Sequence, residues 1–190
     1  MKTLLISLRI FLFFTILTGI IYPLLVTGIA QSVFPAKANG SIIRAGTKET
    51  GSILIGQQFD SAGYFSSRPS AVAYNPLPSG GSNYGLTSEK LRILVAERKR
   101  AFIAMNHLDN LAAVPAEMLF SSASGLDPHI SPLAALMQAD RVSEARQFNG
   151  AQRQKLLQCI GQLTEHRQYL CFGEERINVL LLNLEIDKIR

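Results

Sequence analysis

The sequence predicts an α/β protein: one N-terminal transmembrane helix followed by a single small mixed α/β soluble domain. Three observations predict it. An uncharged apolar run separates Arg9 from Lys37, a length close to one ordinary domain follows, and β-branched segments bounded by glycine occur there among helix-period segments.

Residues from about Leu4 to Phe34 read as the spanning helix. Roughly 27 uncharged residues rising about 1.5 Å each reach roughly 40 Å, against a hydrocarbon core of about 30 Å. The competing reading is a cleaved secretory signal, since Lys2 and Arg9 make a basic start and Gly28-Ile29-Ala30 offers small residues for cleavage. The apolar block is too long for that, because a signal core runs to about 7–15 residues. Thr15, Thr18, Gly19 and Tyr22 fall on one helical face, where small and hydroxyl residues let a neighbouring helix approach. The alternative is that both threonines bond carbonyls of their own helix. Pro23 removes one helix hydrogen bond and predicts a kink, tolerated best where another helix packs alongside.

The positive-inside rule sets Lys2 and Arg9 against Lys37, Arg44 and Lys48, so charge alone does not orient the span. A very short tail ahead of a long domain usually inserts tail-in. Segment 1–36 is then the cytoplasmic tail and anchor, and 37–190 a domain outside the cytoplasm. The chain carries a net charge of +5; without Lys2 and Arg9 the soluble part keeps about +3, too weak a field to argue for nucleic acid. Arg98-Lys99-Arg100 reads as a solvated helix face. Cys159 and Cys171 could pair in an oxidising compartment, yet two cysteines in a domain of this size are no disulfide framework.

Within the domain, Gly51 to Phe59 reads as a strand. From Ser66 to Gly85 turn formers dominate, and so long a loop in a compact domain is usually functional or disordered; its Arg68, Tyr74 and Tyr84 argue against a mere spacer. Thr87 or Ser88 caps a helix to about Met105 that packs Leu91, Leu94, Val95, Phe102 and Met105 into the core. A second strand is expected over Glu117–Ser122. The turn Gly125–Pro128 then feeds a helix with Ser131 at its cap and Pro132 at its first position, running to about Gln147 until Asn149-Gly150 stops it. Another helix follows from Gln152 to about His166, and Ile177–Leu184 makes a buried last strand or a strand-to-helix segment.

The chemistry is bounded mostly by exclusion. One helix cannot enclose an ion pathway alone. Neither a Gly-x-x-x-x-Gly-Lys-Ser/Thr phosphate loop nor an Asp-Lys-Thr-Gly phosphorylation site occurs. Ser121, Ser122 and Ser124 lack a Gly-x-Ser-x-Gly elbow, and His107, His129 and His166 lack metal-ligand spacing, which leaves a membrane-anchored extracytoplasmic hydrolase only as an alternative. Asp127 with His129 could hold a metal; otherwise Asp127 and Ser131 satisfy backbone amides at the next helix start. Ser79-Gly80-Gly81-Ser82-Asn83 can present backbone amides to a phosphate, although turn geometry explains its glycines equally well. Arg68 is the better contact candidate, its planar fork suited to a carboxylate or a row of carbonyls on a partner.

Ordered blocks over almost the whole chain resemble one family, the C subunit of the Kdp-type potassium-transporting ATPase. They include Thr18-Gly-Ile-Ile-Tyr-Pro-Leu24, Gly51-Ser-Ile-Leu-Ile-Gly-Gln57, Tyr64-Phe-Ser-Ser-Arg-Pro-Ser-Ala71, Tyr74-Asn75, Ser79-Gly-Gly-Ser-Asn83, Ser122-Ala-Ser-Gly-Leu-Asp127 and Ile177-Asn-Val179. The resemblance implies a non-catalytic accessory subunit of an inner-membrane complex, beside a channel-like potassium-binding subunit, an ATP-hydrolysing P-type subunit and a small stabilising subunit. It implies no tightly bound cofactor, with ATP reached only through the ATPase subunit. The family is described as a catalytic chaperone that raises ATP affinity, its Ser-Gly-Gly region likened to an ABC-type signature. A periplasmic domain would put Ser79–Asn83 across a bilayer from cytoplasmic ATP, so the physical expectation is a domain that caps the external entrance of the potassium-binding subunit. Thr15, Thr18, Gly19, Tyr22, Pro23, Arg68, Tyr74, Asn75 and Asp127 are the expected partner contacts.

Overall fold

The computed structural model describes residues 2–45, 48–75, 77, 79–169 and 171–189. Pro76 and Pro78 of the expected 66–85 loop, and the end residues Met1 and Arg190, lie outside them. The chain forms two compact units, one through Ser52 and one from Ile53 onward.

The first unit is dominated by a helical stretch from Lys2 to Val33, 32 residues whose most apolar 18-residue stretch has a mean hydropathy of 2.4, long and apolar enough to cross a membrane. It comprises α1 (Lys2–Ile16), a π turn (Leu17–Ile21) and α2 (Tyr22–Val33). The expected kink at Pro23 takes the form of that wide turn. Proline has no N–H for the Gly19 carbonyl, and the Tyr22 N–H reaches back to the Leu17 carbonyl, five residues away. Thr15 and Thr18 donate to the carbonyls of Phe11 at 2.8 Å and Phe14 at 2.6 Å, which hides both hydroxyls on their own helix. After Phe34 leaves helical geometry, the single turn α3 (Pro35–Ala38) leads into an antiparallel hairpin, β1 (Ile42–Ala45) and β2 (Lys48–Ser52), with a bulge between Ile43 and Arg44.

The strand expected over Gly51–Phe59 is therefore displaced. Only Gly51 and Ser52 lie in β2, because its partner β1 begins at Ile42, opposite Ser52. The chain beyond belongs to the second unit. There the Ile53 carbonyl accepts from Asn178 Nδ2 at 2.8 Å. Gly56 passes so close to a neighbouring loop that a Cβ would stand 2.7 Å from the Gly125 carbonyl oxygen.

The second unit holds, among the described residues, four α-helices and a two-stranded pair. These are α4 (Glu89–Met105), α5 (Pro132–Ala145), α6 (Gly150–Gln162) and α7 (Val179–Ile186), with β3 (His129–Ile130) antiparallel to β4 (Ile177–Asn178). Polar caps start each helix. Ser88, Ser131, Asn149 and Asn178 accept from the amides of Leu91, Ala134, Gln152 and Leu181. Asn149 forms a reciprocal capping box with Gln152, so the expected stop signal Asn149-Gly150 is the start of α6; α5 ends before Gln147, which takes a left-handed φ of 54°.

Two further expectations fail for local reasons. Glu117–Ser122 is not a strand: the amides of Leu119 and Phe120 both turn back to the Ala116 carbonyl at 2.9 Å, closing a 3-10 turn (Ala116–Met118), and only Ser122 pairs, with Ser70. Met105 is 42% exposed, because α4 buries the stripe through Phe102 and Ile103. α6 ends at Gln162, and the stretch to Arg176 forms a loose hairpin through the bridges Glu165–Arg176 and Gln168–Phe172. The last segment resolves as strand-to-helix, β4 into α7. Both cysteines are free thiols. The fold class is as expected, mixed α/β, with helices providing most of the core: Phe65, Ile130, Val142, Leu156, Ile177, Leu182 and Ile186 are sealed from solvent, and Ala134, Ala135 and Ala139 let α5 pack closely.

Irregular chain is held against this core by helix side chains. Asn183 of α7 accepts from the Phe65 N–H at 2.8 Å and donates to the Phe65 carbonyl at 3.0 Å. Gln138 of α5 accepts from the Ser66 N–H at 2.8 Å. Arg141 donates to the Ala62 carbonyl at 2.5 Å, to Asn106 Oδ1 at 2.8 Å and to Gln138 Oε1 at 3.0 Å. Burial pulls the Arg141 guanidinium below the usual arginine value. Arg146 donates to the Gly63 carbonyl at 2.6 Å while stacking over Tyr64. Asn183→Leu leaves both polar groups of buried Phe65 without a partner, and chemical unfolding is expected to show a loss of about 2–4 kcal/mol, whereas exposed Gln154→Ala should change stability by less than about 0.5 kcal/mol.

Candidate functional site

The long 66–85 loop closes onto the segment 122–131, and its polar residues converge there. Strand-like pairing starts the contact: Ser122 N–H donates to the Pro69 carbonyl at 2.9 Å, and Ala71 N–H to the Ser122 carbonyl at 3.3 Å. Arg68 Nη1 then forms a direct ion pair with Asp127 Oδ2. The carboxylate that Arg68 Nη1 clamps is thus one of this chain's own. Arg68 Nε is buried with no protein partner.

Asp127 also accepts from the His129 N–H at 3.0 Å, and the His129 ring Nδ1 lies 3.4 Å from Oδ1. This is the turn-forming alternative to metal binding, and Ser131 likewise caps α5. Among the described residues no group of three metal-binding side chains gathers anywhere. Hydrogen bonding from His129, with the Arg68 charge adding to it, overcomes burial and holds the Asp127 carboxyl down at about 2.

Tyr74 reaches under this pair. Its hydroxyl donates to the Arg68 carbonyl at 2.5 Å and its N–H to Ser70 Oγ at 2.9 Å. Burial, reinforced by the Asp60 charge, pushes its phenol up to about 12, so it remains a proton donor at neutral pH. Ala73 and Tyr74 both take left-handed backbone, at φ 50° and 59°, a conformation kept because these bonds over-determine it. Gly125, at φ 65°, lets the two segments meet: a Cβ there would stand 2.9 Å from both Ser70 Oγ and Tyr74 Cδ1. Asn75 closes a small turn, its Oδ1 accepting from the Leu77 N–H at 3.1 Å.

The Ser79–Asn83 turn joins the same cluster. Gly80 N–H donates to Ser124 Oγ at 2.6 Å, Ser124 N–H donates to the Gly80 carbonyl at 2.8 Å, and the hydroxyls of Ser79 and Ser124 share a bond of 3.0 Å. The Gly80 amide is therefore engaged within the chain, while Gly81, Ser82 and Asn83 remain exposed. Ser124 is occupied in the same way, and among the described residues no histidine bonds it. Beside the Arg68–Asp127 pair opens a cleft of about 510 Å³ whose walls carry Glu117, His129, Glu174, Glu175 and Arg176.

The structure thus brings together Arg68, Tyr74, Asp127 and Ser79–Gly80, and places Asn75 close by in the same loop. Thr15, Thr18, Gly19, Tyr22 and Pro23 belong to the other unit, exposed along its helix, with nothing within 4 Å of a Cβ built on Gly19. Sequence reasoning missed Ser70, Ser124 and Gly125 as the residues that organise the cluster. Their one signal was Ser124-Gly125-Leu126-Asp127, a turn whose partner segment is more than forty residues away in sequence.

Fold and site together define a class: a chain with, among the described residues, one helix fit to cross a membrane, followed by a mixed α/β region. The family model for the K+-transporting ATPase, c chain (KdpC), matches residues 4–188, and the chain belongs to that family. It is 47% identical over 193 residues to the potassium-transporting ATPase KdpC subunit of Geobacter sulfurreducens, covering 100% of this chain and 99% of the relative. Identity is 46% to that of Geotalea uraniireducens, covering 94% of each chain, and 44% to that of Escherichia coli, covering 96% of each. This membership does not favour the hydrolase alternative.

Two outcomes test the cluster. Asp127 is held below its unfolded value of about 3.8, so its contribution is full above about pH 4 and disappears as pH falls through about 2. Asp127→Asn should lower stability at neutral pH and flatten the acid limb between pH 4 and 2, measured by thermal unfolding across that range. Gly125→Ala combines a left-handed φ with a steric clash and should destabilise by about 1–3 kcal/mol; Gly150→Ala, with open space around it, should not destabilise.

Proposed function

We infer that this chain is the accessory subunit of an ATP-driven potassium uptake complex, and that its domain covers the external entrance of the potassium-binding subunit. In this reading the helix crosses the inner membrane with its amino terminus in the cytoplasm, and the segment 37–190 lies on the periplasmic side. The P-type ATPase subunit and a small stabilising subunit complete the complex. Thr15, Thr18, Gly19, Tyr22 and Pro23 face other helices, and the wide turn before Pro23 supports this, since irregular helix is tolerated best beside another helix. The observation that carries the cap reading is the closure of Ser79 and Gly80 onto Ser124, which makes their turn a fixed part of the domain's own surface.

A second reading draws on the exposed Gly81, Ser82 and Asn83: the domain raises the ATP affinity of the P-type subunit. It requires the opposite orientation. Protease added to sealed spheroplasts separates the two. Digestion of the region after Ala36, with co-purification of two large membrane subunits in mild detergent, is the expected outcome. Full protection of the domain would sink the cap, and labelling by a photoreactive ATP analogue that Gly81→Ala abolishes would favour the chaperone.

A further inference from the structure

The exposed flank of α4 carries charge that the fold does not use. Arg92 pairs with Glu89, and Arg98 turns inward to donate to the Leu119 carbonyl at 2.9 Å. Lys99 and Arg100 have no acidic partner among the described residues, and with His107 they line the rim of a cleft of about 630 Å³. Its walls are apolar, formed by Ala96, Ile103 and Leu108. A second depression, lined by Arg92, Ile93, Ala96, Glu97 and Arg100, shares Ala96 and Arg100 with the first, so the groove continues along the helix.

Neutralising the helix C-terminus does not explain these cations. No basic residue occupies the last turn of α4. Its final carbonyls are already capped: the amides of Asn106 and Leu108 bond the Phe102 and Ile103 carbonyls at 3.1 and 3.0 Å, and Asn106 Nδ2 bonds Phe102 again at 2.8 Å. Basic groups on the rim and small aliphatic residues on the walls complement a ligand with an anionic head and an apolar body. A segment on the same chain is fit to cross a bilayer, which makes phospholipid the amphiphile always within tether reach.

The geometry points to an anionic phospholipid site: Lys99, Arg100 and His107 hold the phosphodiester headgroup, and Ala96, Ile103 and Leu108 receive the adjoining glycerol and acyl segment. The site stands apart from the Arg68–Asp127 cluster and does not depend on the cap reading.

The test titrates the full-length chain, isotope-labelled in neutral detergent, with water-soluble dihexanoyl phosphatidylglycerol, following backbone amide shifts. Saturable shifts confined to 96–110 are expected, absent with dihexanoyl phosphatidylcholine. Lys99→Gln/Arg100→Gln should weaken the apparent Kd roughly 30-fold, from about fivefold per basic group at an anionic headgroup. Ala104→Glu, on the exposed cleft edge, should weaken it as well, and spectra unchanged outside α4 confirm that both variants are folded. Equal response to phosphatidylcholine, or unchanged affinity in the variants, overturns the site. Equal affinity for inorganic phosphate reduces it to a bare anion site, and tighter binding of a triglutamate peptide reassigns it to an acidic protein partner; either outcome overturns the lipid assignment.

Discussion

Asn183, Gln138 and Arg141 project from α7 and α5 into the groove where Ala62–Ser66 runs, and each bonds its backbone directly. A strand would ordinarily supply those partners. In this unit the described sheet has only two short strands, so a buried segment has no ladder to join, and a backbone N–H or C=O left dry costs on the order of 1–3 kcal/mol. Helix side chains take the ladder's place. Arg141 is the most exacting of them: 4% exposed and hydrogen-bonded to an amide oxygen, a second amide and a main-chain carbonyl, it holds a charge in the interior with dipoles alone.

That anchoring positions everything downstream in the loop. Phe65 fills the core, Ser66 is fixed by Gln138, and Arg68 follows two residues later at the height of Asp127. From there the loop has little choice. Arg68 is fixed at its fork by Asp127 and at its carbonyl by Tyr74, and the left-handed backbone at Ala73 and Tyr74 directs the chain back so that Ser79 and Gly80 meet Ser124. Tyr74, Ser79 and Gly80 thereby acquire defined partners without a helix or strand of their own.

The two units solve opposite solvent problems. Along the N-terminal helix, apolar side chains face outward and the hydroxyls of Thr15 and Thr18 turn back on their own carbonyls, the arrangement that a hydrocarbon environment favours. In the second unit the apolar residues turn inward, while Arg100 is exposed and Lys99 half-buried, neither with an acidic partner among the described residues. One chain thus combines a surface suited to lipid tails with a domain suited to water.

Sequence by itself determined the long apolar helix, the starts of α4 and α5 and the family, because each rests on local chemistry: an uncharged run, caps such as Ser88 and Ser131 with Pro132 behind it, and ordered motifs. It misplaced the strands at 51–59 and 117–122, since apolar runs become strands only where a partner edge exists, and the β1 edge begins at Ile42 opposite Ser52 while Ser122 meets only Ser70. Of the site, Arg68, Tyr74, Asp127 and the Ser79–Asn83 turn were legible as residues that carry chemistry, but not as one another's partners. Only tertiary structure decided that Arg68 closes on Asp127 and Gly80 on Ser124, because contacts across 59 and 44 residues depend on how α5 and α7 hold Ala62–Ser66, the chain that leads into the loop.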